Sequence, residues 1–339
     1  MEPYGTGRDT YKILGETMRL TESDILPIAE KTGFRVEMVE KVVLLLNLLN
    51  NLNSHPFLKG KLVLKGGTAL NLFLLDLPRL SIDIDLNYIG AVESDRMTEE
   101  RPGIDQALKA VFSREGFEAK RSPEEHDGGK YRLGYQSING QPGNLEVDIN
   151  YMYRQTLWDI SYNSSLLPGD FQAKAIPILD IHELAAGKIA ALLSRGQARD
   201  LFDCYQILKM NNLKPDFLRI AFVVYGAMNR KDWRTVSIED IKIDPVELER
   251  KLIPTLNMEI LAEYSQYKEF SKKLLKDCKK SLSILLPLKS DEIEFLDRLL
   301  DKGEIIPSIL TSDEDLIKRI SNQPLLEWKA LNVRKFNKK

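Results

Sequence analysis

The stretch at residues 65–86, KGGTALNLFLLDLPRLSIDIDL, constrains the fold more than any other part of the chain. In its last segment, IDIDL, alternation along a strand places Asp83 and Asp85 on one face and the aliphatic side chains on the other. Aspartate is disfavoured in strands, and two carboxylates about 7 Å apart on one face repel each other. A divalent cation that prefers oxygen ligands, most naturally Mg²⁺ with Mn²⁺ as an alternative, offsets this cost. The other interpretation is a solvated strand face that carries two ordinary acids.

A glycine turn precedes this strand. Gly66, Gly67 and Thr68 lie between a predicted short strand at 62–64 and a predicted helix at 69–75. Glycines let a backbone approach a ligand closely, and amides at the start of a helix can hold phosphate oxygens. The chain contains neither a P-loop motif nor G-x-G-x-x-G, so those two modes of phosphate binding are excluded.

A later predicted strand supplies a third acid. In LEVDI, at residues 145–149, Glu146 and Asp148 share a face opposite the aliphatic side chains. Asp148 fits the apolar–acid–apolar pattern best, while Glu146 and the more distant Asp200 are the alternatives. A glycine turn, a helix, paired aspartates and a later acid together resemble the signature of polymerase-beta-like nucleotidyltransferases.

The finer resemblance is to the AbiEii/AbiGii (MenT-like) family of nucleotidyltransferase toxins. It rests on KGGTAL at 65–70, on R-x-S-x-D-x-D-L at 79–86, and on ELAAGKIAALLSRGQARDLFDCYQI at 183–207. The resemblance implies a Mg²⁺-dependent toxin of a bacterial toxin–antitoxin or phage-defence system. Such an enzyme would transfer nucleotides from an NTP to an RNA acceptor such as the tRNA 3′ end, and a cognate antitoxin is an expected partner.

The same resemblance implies roles for individual side chains. The catalytic set comprises Asp83, Asp85, Lys188 and Asp200. The metal ligands are Asp83, Asp85 and Asp148. The nucleotide-binding set comprises Lys65, Gly66, Gly67, Thr68, Arg79 and Ser81, with Arg79 either binding phosphate or bracing the carboxylates.

Helical periodicity gives independent support for Lys188. The predicted helix at 181–194 carries an apolar stripe, and Lys188 falls in its middle, seven residues after Ile181. A lysine at the centre of a buried face is rarely left unpaired. Lys188 is therefore either a cation for nucleotide phosphates and the acids, or a partner in an internal ion pair, or a lysine that snorkels to solvent.

The next predicted helix, at 199–210, carries two acids, Asp200 and Asp203, that differ in their position relative to its apolar stripe. Asp200 lies near the edge of its apolar stripe, and a simple helix cap is the alternative role. Asp203 is predicted to point farther away from that stripe. Arg199 is either a phosphate contact or a surface charge, and both interpretations stay open.

Strand and helix patterns alternate over about the first 180 residues and helices dominate the rest, which predicts an α+β fold. In the terms of the resemblance, this is a polymerase-beta-like nucleotidyltransferase core, a mixed sheet with flanking helices, plus a mostly helical C-terminal domain. We expect N-terminal helices at 1–60 that pack on the core and a nucleotidyltransferase domain at 61–180. A helical domain at 181–339 would contribute Lys188 and Asp200 to the site.

Composition indicates an ordinary globular chain. Hydrophobic residues make up 43% and charged residues 29% of the 339 residues, and the net charge is −2. No apolar run reaches the roughly 18–20 residues that a membrane helix requires, and the polar start lacks the order of a signal peptide. Two cysteines without a CxxC pair and three scattered histidines argue against a disulfide framework and a zinc site. We therefore expect a cytoplasmic protein without a membrane partner.

Two segments are locally basic although the whole chain is not. Residues 268–280 (KEFSKKLLKDCKK) and 329–339 (KALNVRKFNKK) combine lysines with aromatic side chains. RNA phosphate would suit both segments. A solvated helix face explains them equally well.

Two alternative functions remain at this stage. A nucleotidyltransferase acting on a protein or small-molecule hydroxyl would share the metal site but would not need the basic helical part. A non-enzymatic DNA-binding regulator would use residues 24–50 as a helix-turn-helix, although its second helix has only Arg35 and Lys41 as basic residues. A catalytically inactive family member is disfavoured because the acids at 83 and 85 and the lysine at 188 are present.

Overall fold

The computed structural model of the chain describes residues 19–121, 128–262 and 267–338. Its strands are β1 (Leu62–Lys65), β2 (Asp83–Tyr88), β3 (Glu118–Arg121), β4 (Gly128–Gln136), β5 (Pro142–Asn150), β6 (Ser161–Asn163) and β7 (Ile176–Ile178). Its helices are α1 (Glu22–Thr32), α2 (Val36–Ser54), α3 (Gly66–Ala69, continued by a π-helical turn at Leu70–Leu74), α4 (Ser94–Arg114), α5 (Ile181–Arg195), α6 (Ala198–Ile207), α7 (Pro215–Ala227), α8 (Pro245–Glu247), α9 (Met258–Ala262), α10 (Tyr267–Ser281), α11 (Ser290–Asp297), α12 (Glu314–Ser321) and α13 (Pro324–Phe336).

The strands form a mixed sheet in the order β3-β4-β5-β2-β1-β7-β6. The pairs β2–β5 and β1–β7 are parallel, and the other neighbours are antiparallel. Helices flank this sheet, and the described residues after β7 contain no further strand. The predicted mixed sheet with a helical C-terminal region is therefore confirmed.

The strand register brings the predicted acids together. Asp85 of β2 lies opposite Asp148 of β5, and Asp83 lies opposite Glu146. On the other neighbour of β2, Lys65 at the end of β1 lies opposite Asp85. The intervening aliphatic side chains of these strands are buried in the core, which fixes the face on which the acids lie because a slip of one residue would reverse it.

Helix α2 is part of this core and does not offer a DNA-reading face. Nine of its side chains are buried, in a run from Val39 to Leu52, and only Glu37 and the last residue, Ser54, are exposed. A recognition helix must place several side chains in the major groove. The helix-turn-helix interpretation of residues 24–50 is therefore wrong. Residues 1–18 of the predicted N-terminal part lie outside the described residues.

The short strands β6 and β7 were not predicted. The sequence before Ile181 was interpreted as a proline-bearing connection, whereas Ile176, Pro177 and Ile178 form β7 beside β1. Three buried residues with a proline give neither alternation nor length, the two signals on which strand prediction rests. The turn predicted at 127–129 falls partly outside the described residues, and Gly128 and Gly129 begin β4.

The remainder of the described chain agrees with the helical pattern. Helix α5 begins directly after β7, packs against α6 and α7, and carries Lys188 towards the sheet. Within the described ranges, no helix combines the length and apolarity needed to span a membrane.

Candidate active site

Three carboxylates form one face at the centre of the sheet, which we term the acid face: Asp83, Asp85 and Asp148. Asp83 is approached by Arg199, with Nη1 3.6 Å from Oδ2, whereas no ion pair of Asp85 or Asp148 occurs among the described residues. Burial raises the pKa of Asp83, and the cation Arg199 only partly opposes this. Burial and then the charge of Asp85 raise the pKa of Asp148. The acid face is therefore short of positive charge.

Glu146, the alternative third acid, is in a different position. Its carboxylate receives Nζ of Lys130 at 2.7 Å and Nη2 of Arg132 at 3.4 Å. The hydrogen bond from Lys130 lowers the pKa of Glu146. Because Glu146 is already neutralised by two cations, Asp148 is the better placed of the two to accept another.

The glycine turn lies directly against the acid face. Gly66 has φ +74°, a region that favours glycine, and a Cβ atom there would overlap the Asp85 carboxylate. A Cβ atom at Gly67 would come within 2.7 Å of the Arg79 guanidinium and 3.0 Å of the Ser81 hydroxyl. The two glycines are required because carboxylate, guanidinium and hydroxyl groups all crowd this turn.

Thr68 is fully buried, and its hydroxyl donates to the backbone carbonyl of Asp83. This contact ties the turn to the strand that carries the acids. The threonine that was predicted to bind nucleotide therefore acts, in this structure, within the protein framework.

Four side chains, of which three are buried and the fourth, Lys188, is 12% exposed, form what we term the buried ion-pair cluster: Arg79, Lys188, Asp200 and Asp203. Arg79 donates two hydrogen bonds to the Asp203 carboxylate, from Nε and from Nη2, and each is 2.7 Å long. Lys188 places Nζ 2.8 Å from Asp203 and 3.1 Å from Asp200. Outside the cluster, Arg195 donates from Nε to Asp200 at 2.8 Å. The four members carry two positive and two negative charges, so the cluster is balanced.

Asp203 corrects an expectation from the sequence. It was predicted to point away from the site, yet its side chain is fully buried at the centre of the cluster. An argument from helical periodicity places aspartates on the solvent side of a helix. Asp203 is buried instead because Arg79 and Lys188 compensate its charge, and it also accepts a hydrogen bond from Asn71 Nδ2 at 3.0 Å. Arg79, from the segment before β2, was the sequence signal that a buried acid was needed nearby.

The pKa values of the cluster follow from this pairing. Burial alone would lower the pKa of Lys188, but the carboxylates of Asp203 and Asp200 raise it above its ordinary value. Burial opposes ionisation of Asp203, yet Arg79 and Lys188 hold its pKa well below the usual range. The pKa of Asp200 is also lowered, against burial, by Lys188 and Arg195. Lys188, Asp200 and Asp203 are therefore charged at neutral pH.

The acid face and the cluster line one cleft of about 280 Å³, which we term the acid cleft. Its walls include the following predicted residues: Gly67, Arg79, Ser81, Asp83, Asp85, Asp148, Lys188 and Asp200. An adjoining space of about 430 Å³, which we term the aromatic cavity, shares Asp85, Asp148, Lys188 and Asp200 with it and adds Lys65, Gly66, Tyr153 and Tyr225. Thr68 lines neither space.

Several residues of these walls were missed by sequence reasoning. Arg195 and Lys130 resemble ordinary surface cations in the sequence, and only the fold shows that they face Asp200 and Glu146. Glu183 is buried and lines the aromatic cavity. Burial raises its pKa to about 7, against hydrogen bonds from the backbone of 157 and 158 and from the Tyr225 hydroxyl. An acid on the apolar side of α5 was its available signal.

The donor set of the acid face fits a hard divalent cation. Within the described ranges, no three acids, histidines or cysteines are already arranged to enclose a metal. Mg²⁺ is usually bound by one or two carboxylates together with substrate phosphates and water, rather than by a cage of protein ligands. Asp83, Asp85 and Asp148 line an open cleft and are not fully compensated by cations of the protein, so they match that requirement.

Comparisons with known proteins identify the family and the fold of the chain. A family model described as "Nucleotidyl transferase AbiEii toxin, Type IV TA system" matches residues 47–284. Among solved structures, the chain is similar to MenT4, a nucleotidyltransferase toxin from Mycobacterium tuberculosis H37Rv, with a TM-score of 0.60 and 18% sequence identity. That match covers 91% of this chain and 99% of the other, and at such identity it concerns the fold alone. No curated protein matches the chain.

Proposed function

Because this chain belongs to the AbiEii family of nucleotidyltransferase toxins from type IV toxin–antitoxin systems, we propose that it uses Mg²⁺ to transfer a nucleotide from an NTP to an RNA acceptor such as the tRNA 3′ end. Its enzyme class, nucleotidyltransferase, and the family resemblance of its sequence are confirmed by the family match. Membership of a toxin–antitoxin family implies an antitoxin partner and an NTP substrate.

One observation carries the proposal: the acid face, the glycine turn and Lys188 line a single cleft. Phosphoryl transfer depends mainly on positioning and charge neutralisation, with little covalent chemistry from the protein. A cleft with uncompensated carboxylates on one wall and a fixed ammonium on another meets both needs. Magnesium, when bound, would neutralise the triphosphate and lower the pKa of the attacking hydroxyl.

The residue roles follow from what each side chain already contacts. Asp83 and Asp85 would hold Mg²⁺, and Asp148 is the third acid because Glu146 is occupied by two cations. Lys188, held by two aspartates, would face the charge that develops on the phosphates. This role requires a fixed position more than a mobile one, because preorganised charges need no rearrangement during the reaction.

The remaining predicted residues divide into two groups. Gly66, Gly67, Ser81 and Lys65 border the two spaces and would contact the nucleotide phosphates. Arg79 is 2% exposed and has its donors committed to Asp203 and to the Leu80 carbonyl. We therefore assign Arg79 to bracing the carboxylates, the second of its two roles predicted from the sequence.

An RNA acceptor is supported by helix α10. Lys268, Lys272, Lys276 and Lys280 are exposed and recur every four residues, so they form one basic ridge on this helix. Helix α10 packs on α6, the helix of Asp200 and Asp203, with the rings of Phe270 and Phe202 6.4 Å apart. Phosphates of a bound RNA would neutralise such a ridge.

The C-terminal basic segment supports RNA binding less well. Lys329 donates to the carbonyls of Ala227 and Asn229 at 2.7 and 2.6 Å and so caps the end of α7. Arg334 donates to the carbonyl of Gly303. Because Lys329 and Arg334 donate to backbone carbonyls of the protein, we propose that the RNA acceptor binds at α10 instead. Lys339 lies outside the described residues.

The test incubates the protein with Mg²⁺, each labelled NTP and total RNA. We expect labelled RNA from the wild-type protein and none from Asp83→Ala or Lys188→Ala. Asp170→Ala and Lys174→Ala, which remove exposed side chains of the same types, are the matched controls and should label RNA normally.

The outcomes separate the acceptors. Label on protein or on a small molecule in place of RNA would support the alternative acceptor class. Equal labelling by the wild type in excess EDTA would contradict the metal requirement. Replacing the four lysines of the α10 ridge by glutamine should reduce RNA labelling and weaken its dependence on salt, and an unchanged salt dependence would exclude that surface.

A further inference from the structure

The aromatic cavity has features that the proposed phosphate chemistry does not use. Its volume of about 430 Å³ lies within the usual range for small-molecule sites. The rings of Tyr153 and Tyr225 form one part of its wall, with centroids 5.6 Å apart and planes tilted by 30°. Gly187 and Ala191 of α5 leave space in front of this aromatic wall. A flat heterocycle can stack there.

While the Glu183 carboxyl is ionised, it can only accept from the Tyr225 hydroxyl, so the polarity of that hydroxyl is fixed. The hydroxyl donates its proton to Oε1 of Glu183 at 3.0 Å, and Oε2 of Glu183 accepts from the backbone amide of Trp158 at 3.3 Å. Glu183 is only 1% exposed, so it has no solvent to turn towards. A phenol whose proton is committed can offer only its oxygen lone pairs to a ligand. Burial and the neighbouring Glu183 raise the pKa of Tyr225, which keeps that proton in place.

A second acceptor lines the same cavity. Asn87 continues the acid face along β2, two residues beyond Asp85, and is 2% exposed. Its Oδ1 has no hydrogen-bond partner among the described residues. Buried acceptors are rarely left unpaired in proteins, so this atom calls for a donor that a ligand would bring.

From these two acceptors, and resting on the proposed function for the identity of the ligand, we propose that the aromatic cavity receives the base of the NTP and selects bases with an amino group at C4 of a pyrimidine or C6 of a purine. Cytosine and adenine present that donor, whereas uracil and guanine present a carbonyl oxygen at the corresponding position. Tyr225 would accept from the amino group, with Glu183 as the positioning residue that sets the direction of its hydroxyl.

The direct test measures equilibrium binding of four non-hydrolysable NTP analogues to the full-length protein with Mg²⁺, at roughly pH 8.5, where a carboxyl such as Glu183 is ionised. Comparisons within one ring size isolate the amino group. We expect cytosine to be bound about 10-fold more tightly than uracil, and adenine about 10-fold more tightly than guanine, the scale of one hydrogen bond.

Two variants report on the mechanism of selection. Tyr225→Phe removes the acceptor, so affinities within each pair should become equal within about 3-fold while the uracil nucleotide still binds. Glu183→Gln can donate its amide to the Tyr225 oxygen and release the hydroxyl proton towards the ligand, so the preference should shrink or reverse. Tyr205→Phe, which alters a tyrosine outside both spaces and against Lys209, is the matched control and should keep the wild-type preference.

The results separate this inference from the function on which it rests. Failure of the wild type to bind any of the four analogues would contradict the proposed function itself. Binding of all four with equal affinity would overturn the inference and leave the function standing. A preference for ribonucleotides over their 2′-deoxy forms without any base preference would also overturn it, because the acceptors would then read the sugar.

Discussion

The acid face and the buried ion-pair cluster border the same cleft but differ in charge balance, because the cluster is neutral and the acid face is short of positive charge. The cluster pairs Arg79 and Lys188 with two aspartates at distances of 2.7–3.1 Å and is complete without any ligand. The acid face has three carboxylates on adjacent strands, with the partly exposed Arg199 3.6 Å from Asp83. The comparison shows that the protein fixes one set of charges in advance and leaves the other to be completed by what binds.

The difference also explains why a lysine can serve in such a site. A lysine with a long flexible stem loses rotamer freedom when it is ordered, and Lys188 is ordered by Asp200 and Asp203 before any nucleotide arrives. The cost of this arrangement is borne at folding, when four charges are buried together. Its benefit is a cation of fixed position in the cleft.

The largest expected effect is on activity, at the incomplete wall. Asp85→Asn keeps the shape that fits against Gly66 but removes a charge, so we expect RNA labelling to fall on the order of 10³-fold. The melting temperature should stay the same or rise, because the change relieves repulsion between like charges. Steady-state labelling and a thermal melt of the same preparation measure both quantities.

Asp170→Asn is the control for this prediction, since it changes an exposed aspartate. A variant at 85 that lost stability and activity together would show that the carboxylate is structural. The contrast between the two walls would then disappear.

The next effect concerns stability, at the complete wall. Asp203→Asn leaves Arg79 and Lys188 with half of their counter-charge, and breaking a buried pair in this way costs about 3–5 kcal/mol of unfolding free energy. Urea denaturation with Asp170→Asn as the reference measures the loss. A loss below about 1 kcal/mol would be typical of a surface pair and would refute the description of this cluster as buried and coupled.

The two walls should also respond differently to pH. The pKa of Asp148 is raised by burial and by Asp85, so its ionisation in the folded state opposes folding, and Asp148→Asn should be more stable than the wild type at neutral pH. As the pH falls through that raised pKa, the wild type gains a proton and the advantage of the variant disappears.

Asp203 has the opposite sign, because its pKa is lowered by Arg79 and Lys188. Its contribution to stability is present above the ordinary carboxyl pKa and is lost only as the pH falls towards its own lowered value. Between about pH 7.5 and pH 4.5, the stability gap of Asp203→Asn should therefore stay constant while that of Asp148→Asn narrows. Urea midpoints at several pH values provide the measurement, and parallel curves for the two variants would contradict the difference in charge balance.

The acid face could be predicted from the sequence more fully than the buried ion-pair cluster. The acid face depends on local alternation in IDIDL and LEVDI, and period-2 patterns of this kind survive folding because a buried face fixes the register. The cluster depends on Arg79 meeting Asp203, which are 124 residues apart. Strand and helix periodicity relate residues within one segment, so they cannot predict a pair this far apart in the sequence. The family resemblance implied Lys188, and its place in an apolar stripe supported it. Its partner Asp203 was expected to point away from that stripe, because helical periodicity cannot show compensation by a distant cation.

The strands β6 and β7 and the wall of the aromatic cavity were missed for a related reason. Tyr153 follows β5, Tyr225 lies on α7, and Glu183 lies on α5. Neither tyrosine stands out in its own segment, and the one local signal of Glu183 is its place on the apolar side of α5; that the three residues form one wall follows only from packing between segments. Propensity and period describe a segment, whereas a site built from several segments needs the topology.

The smallest expected effect tests Arg199, which pairs with Asp83 at the acid face, and decides between the two roles left open for it. Both side chains of its pair with Asp83 are about one-third exposed, so the pair adds little to stability. If Arg199 is a surface charge, Arg199→Ala should raise the pKa of Asp83 further and move the acid limb of the activity profile to higher pH by less than one unit. Activity at high pH would then change by less than about 2-fold. If Arg199 instead contacts phosphate, kcat/KM should fall about 10-fold or more at every pH, and the acid face would have a working cation of its own before any metal binds.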